Sequence, residues 1–457
     1  MQRTGLRNAI WLLLGLCLAV VVHLLLTSLP PQQRLMAAIF SATIVYWLAE
    51  PIPLYVTGLL AALAAAVLLG PLGPRFGAPP LDYRDFLYPF ASPVVVLMFG
   101  GFVMARVFSK HNLDIEFCRM ILLRVGSRPR AVLLAMMTIT AAMSMWMSNT
   151  ATTAIMVATV LPIARKLPAN SNMVRALMLG IPFAANVGGM ATPIGTPPNA
   201  IAIGLLADAG VSISFFSWML AGLPLMILLL ALVFLLLQLF FPIRRTSFVI
   251  DFGAPPAIAN RGLVYTVFFA TVALWVTDQL HHVPAALIAL VPVVVFAISG
   301  LLEKQLLREL AWDILLLIGG GLALGVGIQQ TGLADTIVAT LLPGAGAGVG
   351  SMALLCVLIA ALATFMSNTA AANLILPLAV TVAGAFPQQL AVPVALCASL
   401  GMALPISTPP NAIAYGSELI AERDMLRVGV VVTLVGVALT IAYERLLFAL
   451  LPGAGAG

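Results

Sequence analysis

Uninterrupted apolar runs, each close to the length of a bilayer-spanning helix, recur along the whole 457-residue chain. A helix rises about 1.5 Å per residue, so about 20 apolar residues cross the roughly 30 Å hydrocarbon core of a membrane. The runs consist mainly of Leu, Ala, Val and Ile without strict polar–apolar alternation, which favours helices over a transmembrane barrel. They lie near residues 9–29, 35–50, 52–70, 92–109, 173–195, 215–241, 262–280, 284–302, 311–330, 390–406 and 427–451.

The composition excludes a soluble fold. Hydrophobic residues make up 62% of the chain and charged residues 8%, whereas about 25% of an average soluble domain is charged. A soluble protein of this size needs a polar surface that this chain cannot supply. A soluble enzyme, a nucleic-acid-binding protein and a disordered chain are therefore excluded. We expect an all-α polytopic membrane protein whose surroundings are the lipid bilayer.

Two further apolar stretches, 130–165 and 350–384, are interrupted by polar residues near their middles. Each is too long for one crossing, so we expect re-entrant helical hairpins that enter and leave on the same side. With a cytoplasmic N-terminus, this arrangement places 18 of the 22 Lys and Arg residues inside and four outside. The four are Arg34, Arg75, Arg84 and Arg445. The distribution predicts a multi-pass protein of the cell (inner) membrane with an extracytoplasmic C-terminus.

The interrupted stretches reveal a duplication. Met147–Ala151 and Met366–Ala370 both read Met-Ser-Asn-Thr-Ala, and downstream Thr196–Ile201 and Thr408–Ile413 both read Thr-Pro-Pro-Asn-Ala-Ile. Five and six consecutive matches, in the same order, are far beyond coincidence within one chain. The charge distribution makes the first hairpin open from the inside and the second from the outside, so we expect inverted repeats, the plan of many secondary transporters.

The duplication divides the chain. We expect an N-terminal span over 1–34, a first inverted repeat over 35–241 with a broken helix at 173–209, a cytoplasmic linker over 242–261, and a second inverted repeat over 262–451 with a broken helix at 390–420.

The Thr-Pro-Pro-Asn motif predicts a helix break. Proline cannot donate a backbone hydrogen bond and disfavours helical geometry in the residue before it. The incoming helices should therefore end near Gly195 and Ser407, with Thr196 and Thr408 as N-caps of new half-helices. The Ser-Asn-Thr motif should cap the returning helix of each hairpin in the same way. Freed carbonyls suit a cation such as Na⁺, and freed amides suit carboxylate or sulfate oxygens.

None of the four motif copies contains a charged residue. A bare dianion bound among them would lack a countercharge inside the membrane, which is costly. Bound cations would supply that charge, so the sequence itself favours coupling between anion and cation transport. A single Asn or Ser in a membrane helix usually serves helix packing. Four duplicated clusters at two breaks and two hairpins favour a binding site instead.

Paired Ser-Asn-Thr motifs, each followed by Thr-Pro-Pro-Asn, resemble the divalent anion/sodium symporter family from about residue 35 to 450. The family includes sodium-coupled dicarboxylate, citrate and sulfate carriers. The resemblance implies a homodimer of protomers with about 11 transmembrane helices and two re-entrant hairpins. It also implies an elevator mechanism, with a scaffold over roughly 1–110 and 262–330 and a transport domain over roughly 130–241 and 350–451.

The resemblance further implies the site residues. Those near the substrate are Ser148, Asn149, Thr150, Thr196, Pro197, Ser367, Asn368, Thr369, Thr408 and Pro409. One Na⁺ would be bound by Ser144, Ser148, Asn149 and the Gly195 carbonyl, and the other by Asn368 and the Met366 and Ser407 carbonyls. The second repeat has Ala363, followed by Thr364, where the first has Ser144. The second cation site therefore departs from the first.

Two other transport functions stay open. They are a sodium-independent dicarboxylate or anion exchanger and an exporter of an oxyanion such as arsenite. No Lys or Arg stands at the motifs to replace Na⁺, which favours sodium-coupled uptake of a small dianion. No nucleotide-binding motif is present, and the four Cys and four His residues form no ligand pattern. We expect neither an enzyme nor an organic cofactor.

Overall fold

The structure, a computed structural model, describes residues 2–126, 128–165, 171–243, 260–341, 346 and 348–450. These residues form α-helices, short 3₁₀ turns and connecting loops, with no β-strand among them. The predicted all-α architecture is therefore confirmed. Of the predicted linker 242–261, residues 244–259 lie outside the described residues.

The helices follow the apolar runs closely. In the first half they are α1 (Gln2–Leu25), α2 (Pro31–Ala49), α3 (Leu54–Leu68), α4 (Pro93–Lys110), α5 (Leu113–Val125), α6 (Pro129–Ser144), α7 (Asn149–Ala164), α8 (Asn172–Gly189), α9 (Pro197–Asp208) and α10 (Phe215–Phe240). In the second half they are α11 (Arg261–Val276), α12 (Asp278–His281), α13 (Ala285–Ile298), α14 (Lys304–Arg308), α15 (Trp312–Gln330), α16 (Leu333–Leu341), α17 (Val349–Phe365), α18 (Asn368–Ala383), α19 (Gln388–Ala398), α20 (Pro409–Tyr415) and α21 (Glu422–Leu450).

Five described helices, α1, α4, α10, α15 and α21, are long and apolar enough to cross a membrane alone, and seven shorter ones are also apolar. Several helices begin at a proline, for example α2 at Pro31 and α4 at Pro93. Proline suits this position because the first turn needs no backbone N–H donor. The number of membrane crossings stays a prediction.

The two halves share one order of elements. A helix–turn–helix pair (α6 and α7, or α17 and α18) is followed by an interrupted helix (α8 and α9, or α19 and α20) and then by a long helix (α10 or α21). The turns of the pairs lie at the Ser-Asn-Thr motifs, and the interruptions end at the Thr-Pro-Pro-Asn motifs. The folded halves thus repeat the duplication that the sequence carries.

Ion pairs within the described part of the chain connect residues on the predicted inner side. Three of them are Arg261–Glu116 at 2.7 Å, Lys110–Glu303 at 2.8 Å and Arg175–Asp424 at 3.7 Å. Residues on the predicted outer side also contact one another. For example, Gln330 Nε2 donates a hydrogen bond to Asp85 Oδ2 over 3.0 Å. The loops that the charge distribution groups together are therefore neighbours in the fold. Which face is cytoplasmic stays a prediction.

The halves pack across each other at the motifs. Helix α20 of the second half contacts α7 and α8 of the first, and α9 of the first half contacts α18 and α19 of the second. Each helix that begins at a Ser-Asn-Thr motif therefore packs against the half-helix that begins at the other half's Thr-Pro-Pro-Asn motif. This crossed packing brings all four motif copies into one region of the molecule.

Candidate substrate and cation site

The first helix break is wider than the sequence predicts. Helix α8 ends at Gly189, not near Gly195, and α9 begins at Pro197. The cause is the side chain of Asn199, whose Nδ2 donates to the carbonyls of Gly189 over 3.0 Å and Thr192 over 2.8 Å. Because this buried amide takes over the role of helical N–H donors, the helix can end before the prolines require it.

The second break has the same design. Helix α19 ends at Ala398, so the predicted end near Ser407 is also wrong. Asn411, which matches Asn199, donates from Nδ2 to the carbonyls of Met402 over 2.9 Å and Leu404 over 3.0 Å. The amide nitrogen of each motif asparagine thus holds the break open.

Capping differs between the repeats. Thr408 is the N-cap of α20, and its hydroxyl accepts a hydrogen bond from the backbone N–H of Asn411 over 3.3 Å. Thr196 is the N-cap of α9 with extended backbone geometry, but its side chain makes no capping bond. Ser367, the N-cap of α18, makes none either. The side-chain caps predicted at Thr196 and Ser367 are therefore absent.

Oxygen atoms from three elements converge at the first hairpin. Ser144 Oγ at the end of α6 lies 2.5 Å from Asn149 Oδ1 at the start of α7 and 2.8 Å from the Ala185 carbonyl oxygen of α8. The Asn149 atom that faces Ser144 lies 3.2 Å from both the Ala185 and the Gly195 carbonyl oxygens. We call Ser144, Asn149, Ala185 and Gly195 the first oxygen cluster.

The Asn149 amide can face the first oxygen cluster in either of two orientations. The Ser144 hydroxyl carries one proton and donates to one acceptor at a time. With its amide nitrogen inward, the two N–H groups of Asn149 face three acceptors, Ser144 Oγ and the two carbonyl oxygens. With its amide oxygen inward, four oxygens face one another with a single proton among them, an arrangement that a small cation stabilises. These four uncharged oxygens are suitable ligands for Na⁺.

Close packing of the break makes the first oxygen cluster possible. A Cβ atom on Gly189 would lie 2.6 Å from Asn149 Oδ1 and 2.9 Å from the Gly195 carbonyl oxygen. Only glycine therefore leaves room for the Asn149 amide at this position. Ser148 is half-buried beside it, and its carbonyl accepts the helical hydrogen bond from Thr152.

The second hairpin has a related arrangement. Ser407 Oγ donates to the Thr364 carbonyl oxygen of α17 over 2.7 Å and accepts from the Leu404 N–H over 3.0 Å. The Asn368 side chain at the start of α18 has a buried Oδ1 without a donor among the described residues. Met366, which lies in the turn between α17 and α18, is buried. We call Ser407, Thr364, Met366 and Asn368 the second oxygen cluster.

The serine hydroxyl lies on the hairpin in the first oxygen cluster and on the break in the second. The first cluster has Ser144 on the hairpin and Gly195 on the break, whereas the matching positions of the second are Ala363 and Ser407. Each cluster therefore contains one serine, which donates a hydrogen bond between the hairpin and the interrupted helix. The Thr364 hydroxyl does not replace Ser144, because it donates to Ala360 of its own helix over 2.9 Å.

The predicted substrate residues lie on neighbouring helix starts. Ser148, Asn149 and Thr150 are half-buried, as are Ser367 and Asn368. Thr196, Thr369 and Thr408 are buried, Pro197 is half-buried and Pro409 is exposed. The first turns of their helices have backbone N–H groups without helical partners, which together with the hydroxyls can bind anion oxygens.

Asn186 is a residue that sequence reasoning missed. It is buried in α8, and its Nδ2 donates to Thr408 Oγ1 over 3.1 Å, which links the first half directly to the cap of the second break. Its Oδ1 has no donor among the described residues. The sequence signal for this residue was the presence of an asparagine within an apolar helix. The second half has Ala398 near the matching position, so the duplication did not point to Asn186.

A large cavity lies on another side of the first break. Its volume is about 1270 Å³, and residues of α9 and α10 line it together with residues of α4, α13 and α15. Pro193 of the break lines it, as do Ala207 and Asp208 of α9. None of the ten predicted substrate residues is among its lining residues. The cavity opens among the loops of the predicted outer side.

The chain matches one protein family over nearly its whole length. The family is described as the sodium:sulfate symporter transmembrane region, and the match covers residues 7–451. The chain belongs to this family. The resemblance to divalent anion/sodium symporters is therefore confirmed.

Named relatives of this chain support its place in the symporter family. The sodium-dependent dicarboxylate transporter SdcS of Staphylococcus saprophyticus is 31% identical over 445 residues, covering 87% of this chain and 82% of the relative. SdcS of Staphylococcus aureus is 30% identical over 482 residues, covering 94% and 90%. An uncharacterised transporter of Haemophilus influenzae is 31% identical over 447 residues, covering 91% and 92%.

A solved structure shares the fold. The YdaH transporter of Alcanivorax borkumensis superposes on 88% of this chain and 98% of its own, with a TM-score of 0.54 and 13% identity. The family match and the named relatives, together, make this chain a multi-pass membrane transporter acting on small-molecule anions, and not an enzyme.

Proposed function

We propose that this protein takes up divalent anions, namely C4 dicarboxylates, citrate or sulfate, by coupling their entry to Na⁺. The observation that carries the proposal is the convergence of uncharged oxygens in the first oxygen cluster beside helix starts that suit an anion. The relatives named sodium-dependent dicarboxylate transporters support the same coupling.

The first Na⁺ site is proposed at Ser144, Asn149 and the carbonyl of Gly195, with Ser148 beside them. To these, the geometry adds the Ala185 carbonyl, which lies 2.8 Å from Ser144 Oγ. Na⁺ binding would turn the amide oxygen of Asn149 inward, so that the residue changes from hydrogen-bond donor to cation ligand. The site would then be ordered only when the cation is present.

The second Na⁺ site is proposed at Asn368 and the carbonyls of Met366 and Ser407. The buried Asn368 Oδ1 without a donor supports it. Ser407 supplies on the break the hydroxyl that Ala363 lacks on the hairpin. The presence of Ala363 at the position that matches Ser144 would therefore rearrange this cation site without removing it.

The substrate is proposed to bind between the two Ser-Asn-Thr motifs, with Thr196, Pro197, Thr408 and Pro409 completing the site. Helices α7, α9, α18 and α20 start there, and the crossed packing of the halves brings them together. Because no motif residue is charged, the two Na⁺ ions would offset both negative charges of the anion. Carboxylate and sulfate oxygens would use the same amides and hydroxyls.

Transport is proposed to follow an elevator mechanism in a homodimer of inverted repeats. The scaffold would comprise roughly residues 1–110 and 262–330, and the transport domain roughly 130–241 and 350–451. The large cavity, which residues of α9 and α10 line together with residues of α4, α13 and α15, supports a division along this line. The N-terminus would be cytoplasmic and the C-terminus extracytoplasmic.

Uptake by purified protein in liposomes tests the proposal. Labelled succinate, citrate or sulfate should accumulate only with an inward Na⁺ gradient, and the initial rate should rise with Na⁺ concentration with a Hill slope above one. Rapid counterflow that is independent of Na⁺ would instead make the protein an exchanger. A thermal-shift screen of the same anions with and without Na⁺ would identify the preferred substrate.

A further inference from the structure

Glu444 is a carboxylate buried in the long helix α21. It is 0% exposed, and neither of its carboxylate oxygens has a hydrogen-bond donor among the described residues. Helix α21 packs there against α10 and α19. The next residue, Arg445, is exposed, and the preceding Tyr443 donates its hydroxyl to the Leu220 carbonyl over 2.9 Å. Neither neighbour in sequence is paired with the carboxylate.

A small cavity of about 40 Å³ adjoins this carboxylate. Gln388, at the start of α19, also lines it, and its Oε1 is buried without a donor. Most of the remaining wall is apolar, including Trp218, Ala221 and Leu447. The cavity is large enough for a water molecule. Three oxygens without donors therefore face one small cavity inside the protein.

A charged carboxylate is strongly disfavoured in this setting, because burial removes its hydration and no donor or cation replaces it. Na⁺ would need a shell of oxygens, and beyond Glu444 and Gln388 the side chains of this mainly apolar wall add only the Ser217 hydroxyl. A proton needs only one carboxylate oxygen, and the resulting O–H group can donate to water or to Gln388 Oε1. The number and kind of the oxygens therefore favour a proton over a metal ion.

We propose that Glu444 is a proton-binding site and that the folded protein carries it as the neutral acid. The small cavity shares the lining residues Ile213 and Ser217 with the large cavity of the predicted outer side, which gives the proton a route to solvent. Other titratable groups around Glu444 are Tyr443 on its own helix and the Cys397 thiol of α19, with Cys356 of α17 next to Cys397. Helix α10 presents only uncharged residues to the small cavity.

The site predicts how stability depends on pH. Glu444 would be neutral in the folded protein and ionised in the unfolded chain above the ordinary range of a carboxyl group. Folding would then take up a proton, so raising the pH would destabilise the wild-type protein relative to Glu444→Gln. The ratio of their folding constants would change by up to tenfold per pH unit. This holds whichever anion the protein carries, so the proposal stands apart from the proposed function.

Thermal unfolding of the purified full-length protein between pH 5 and pH 9 tests this. Glu444→Gln should gain stability over wild type as the pH rises, by the same amount at low and high Na⁺ concentration. Glu422→Gln, an exposed residue of the same helix, should follow wild type throughout. Parallel profiles for wild type and Glu444→Gln, or a difference that depends on Na⁺ and not on pH, would overturn the proposal.

Infrared spectroscopy supplies a measurement that does not depend on unfolding. The C=O stretch of a protonated carboxylic acid should appear at pH 7 in wild type and in Glu422→Gln, and should shift in D₂O. It should be missing from Glu444→Gln and from Glu444→Met, an apolar variant of similar length. A spectrum without this band in wild type would show that Glu444 is ionised.

Discussion

At the scale of single residues, the two oxygen clusters differ by the position of one hydroxyl. Ser144 stands on the first hairpin and Ser407 on the second break, and each donates to a carbonyl of the opposing element over 2.8 Å and 2.7 Å respectively. The duplicated sequence shows both departures from symmetry, at Ala363 and at Gly195. The fold places the two hydroxyls on opposite sides of equivalent interfaces, and we infer that the two departures compensate for each other.

Exchanging the hydroxyl in the second cluster tests this compensation. We expect Ser407→Gly to weaken the second cation site, so that the Hill slope for Na⁺ falls toward one. The double variant Ala363→Ser/Ser407→Gly reproduces the arrangement of the first cluster and should restore the slope. If the double variant is no better than Ser407→Gly in the liposome assay, the two hydroxyls do not have equivalent roles.

The two motif asparagines should be indispensable for transport. Asn149→Ala and Asn368→Ala each remove an amide oxygen that no neighbouring side chain replaces, so we expect uptake to fall at least about 100-fold, the loss of roughly 3 kcal/mol of binding. Expression and gel-filtration profile should be unchanged. Asn172→Ala, at the far end of α8, is the matched control and should transport normally. Normal uptake by either motif variant would contradict the assigned site.

At the scale of elements, the breaks depend on a tight approach between hairpin and broken helix. Gly189→Ala would place a methyl group 2.6 Å from the Asn149 amide and 2.9 Å from the Gly195 carbonyl oxygen. We expect it to remove Na⁺-dependent thermal stabilisation. Gly180→Ala on the same helix α8 would meet only flexible side chains, the nearest at 3.1 Å, and should retain that stabilisation. Equal responses of the two variants to Na⁺ would remove the reason for a glycine at 189.

The sequence predicts most elements because apolar length and proline are local signals. It misses α5 and α16, which precede the two hairpins, because α5 carries Asp114 and Glu116 in its first turn and α16 is short. It also misplaces the ends of α8 and α19. Those ends depend on the reach of Asn199 and Asn411 to carbonyls up to ten residues away, which no local pattern reveals.

At the scale of the whole molecule, the large cavity should change during transport. If one group of helices slides past the other, the walls formed by α9 and by α13 and α15 must move relative to each other. Ala207 of α9 is exposed and lines this cavity. Cys17 is exposed, whereas Cys118, Cys356 and Cys397 are buried. A Cys17→Ala background therefore allows a single thiol to be followed at position 207.

We expect Ala207→Cys to react with a membrane-impermeant thiol reagent from the outer side, at a rate that changes several-fold when Na⁺ and the transported anion are both present. Ser28→Cys, exposed in the loop after α1, lies on the same predicted side away from the cavity and should react at a constant rate. Identical rates at position 207 in all conditions would contradict relative movement at this cavity. Reaction of both thiols only from the inner side would reverse the predicted orientation. Arg34 and Arg84, which lie on the same predicted side of the membrane as these thiols, would then be cytoplasmic.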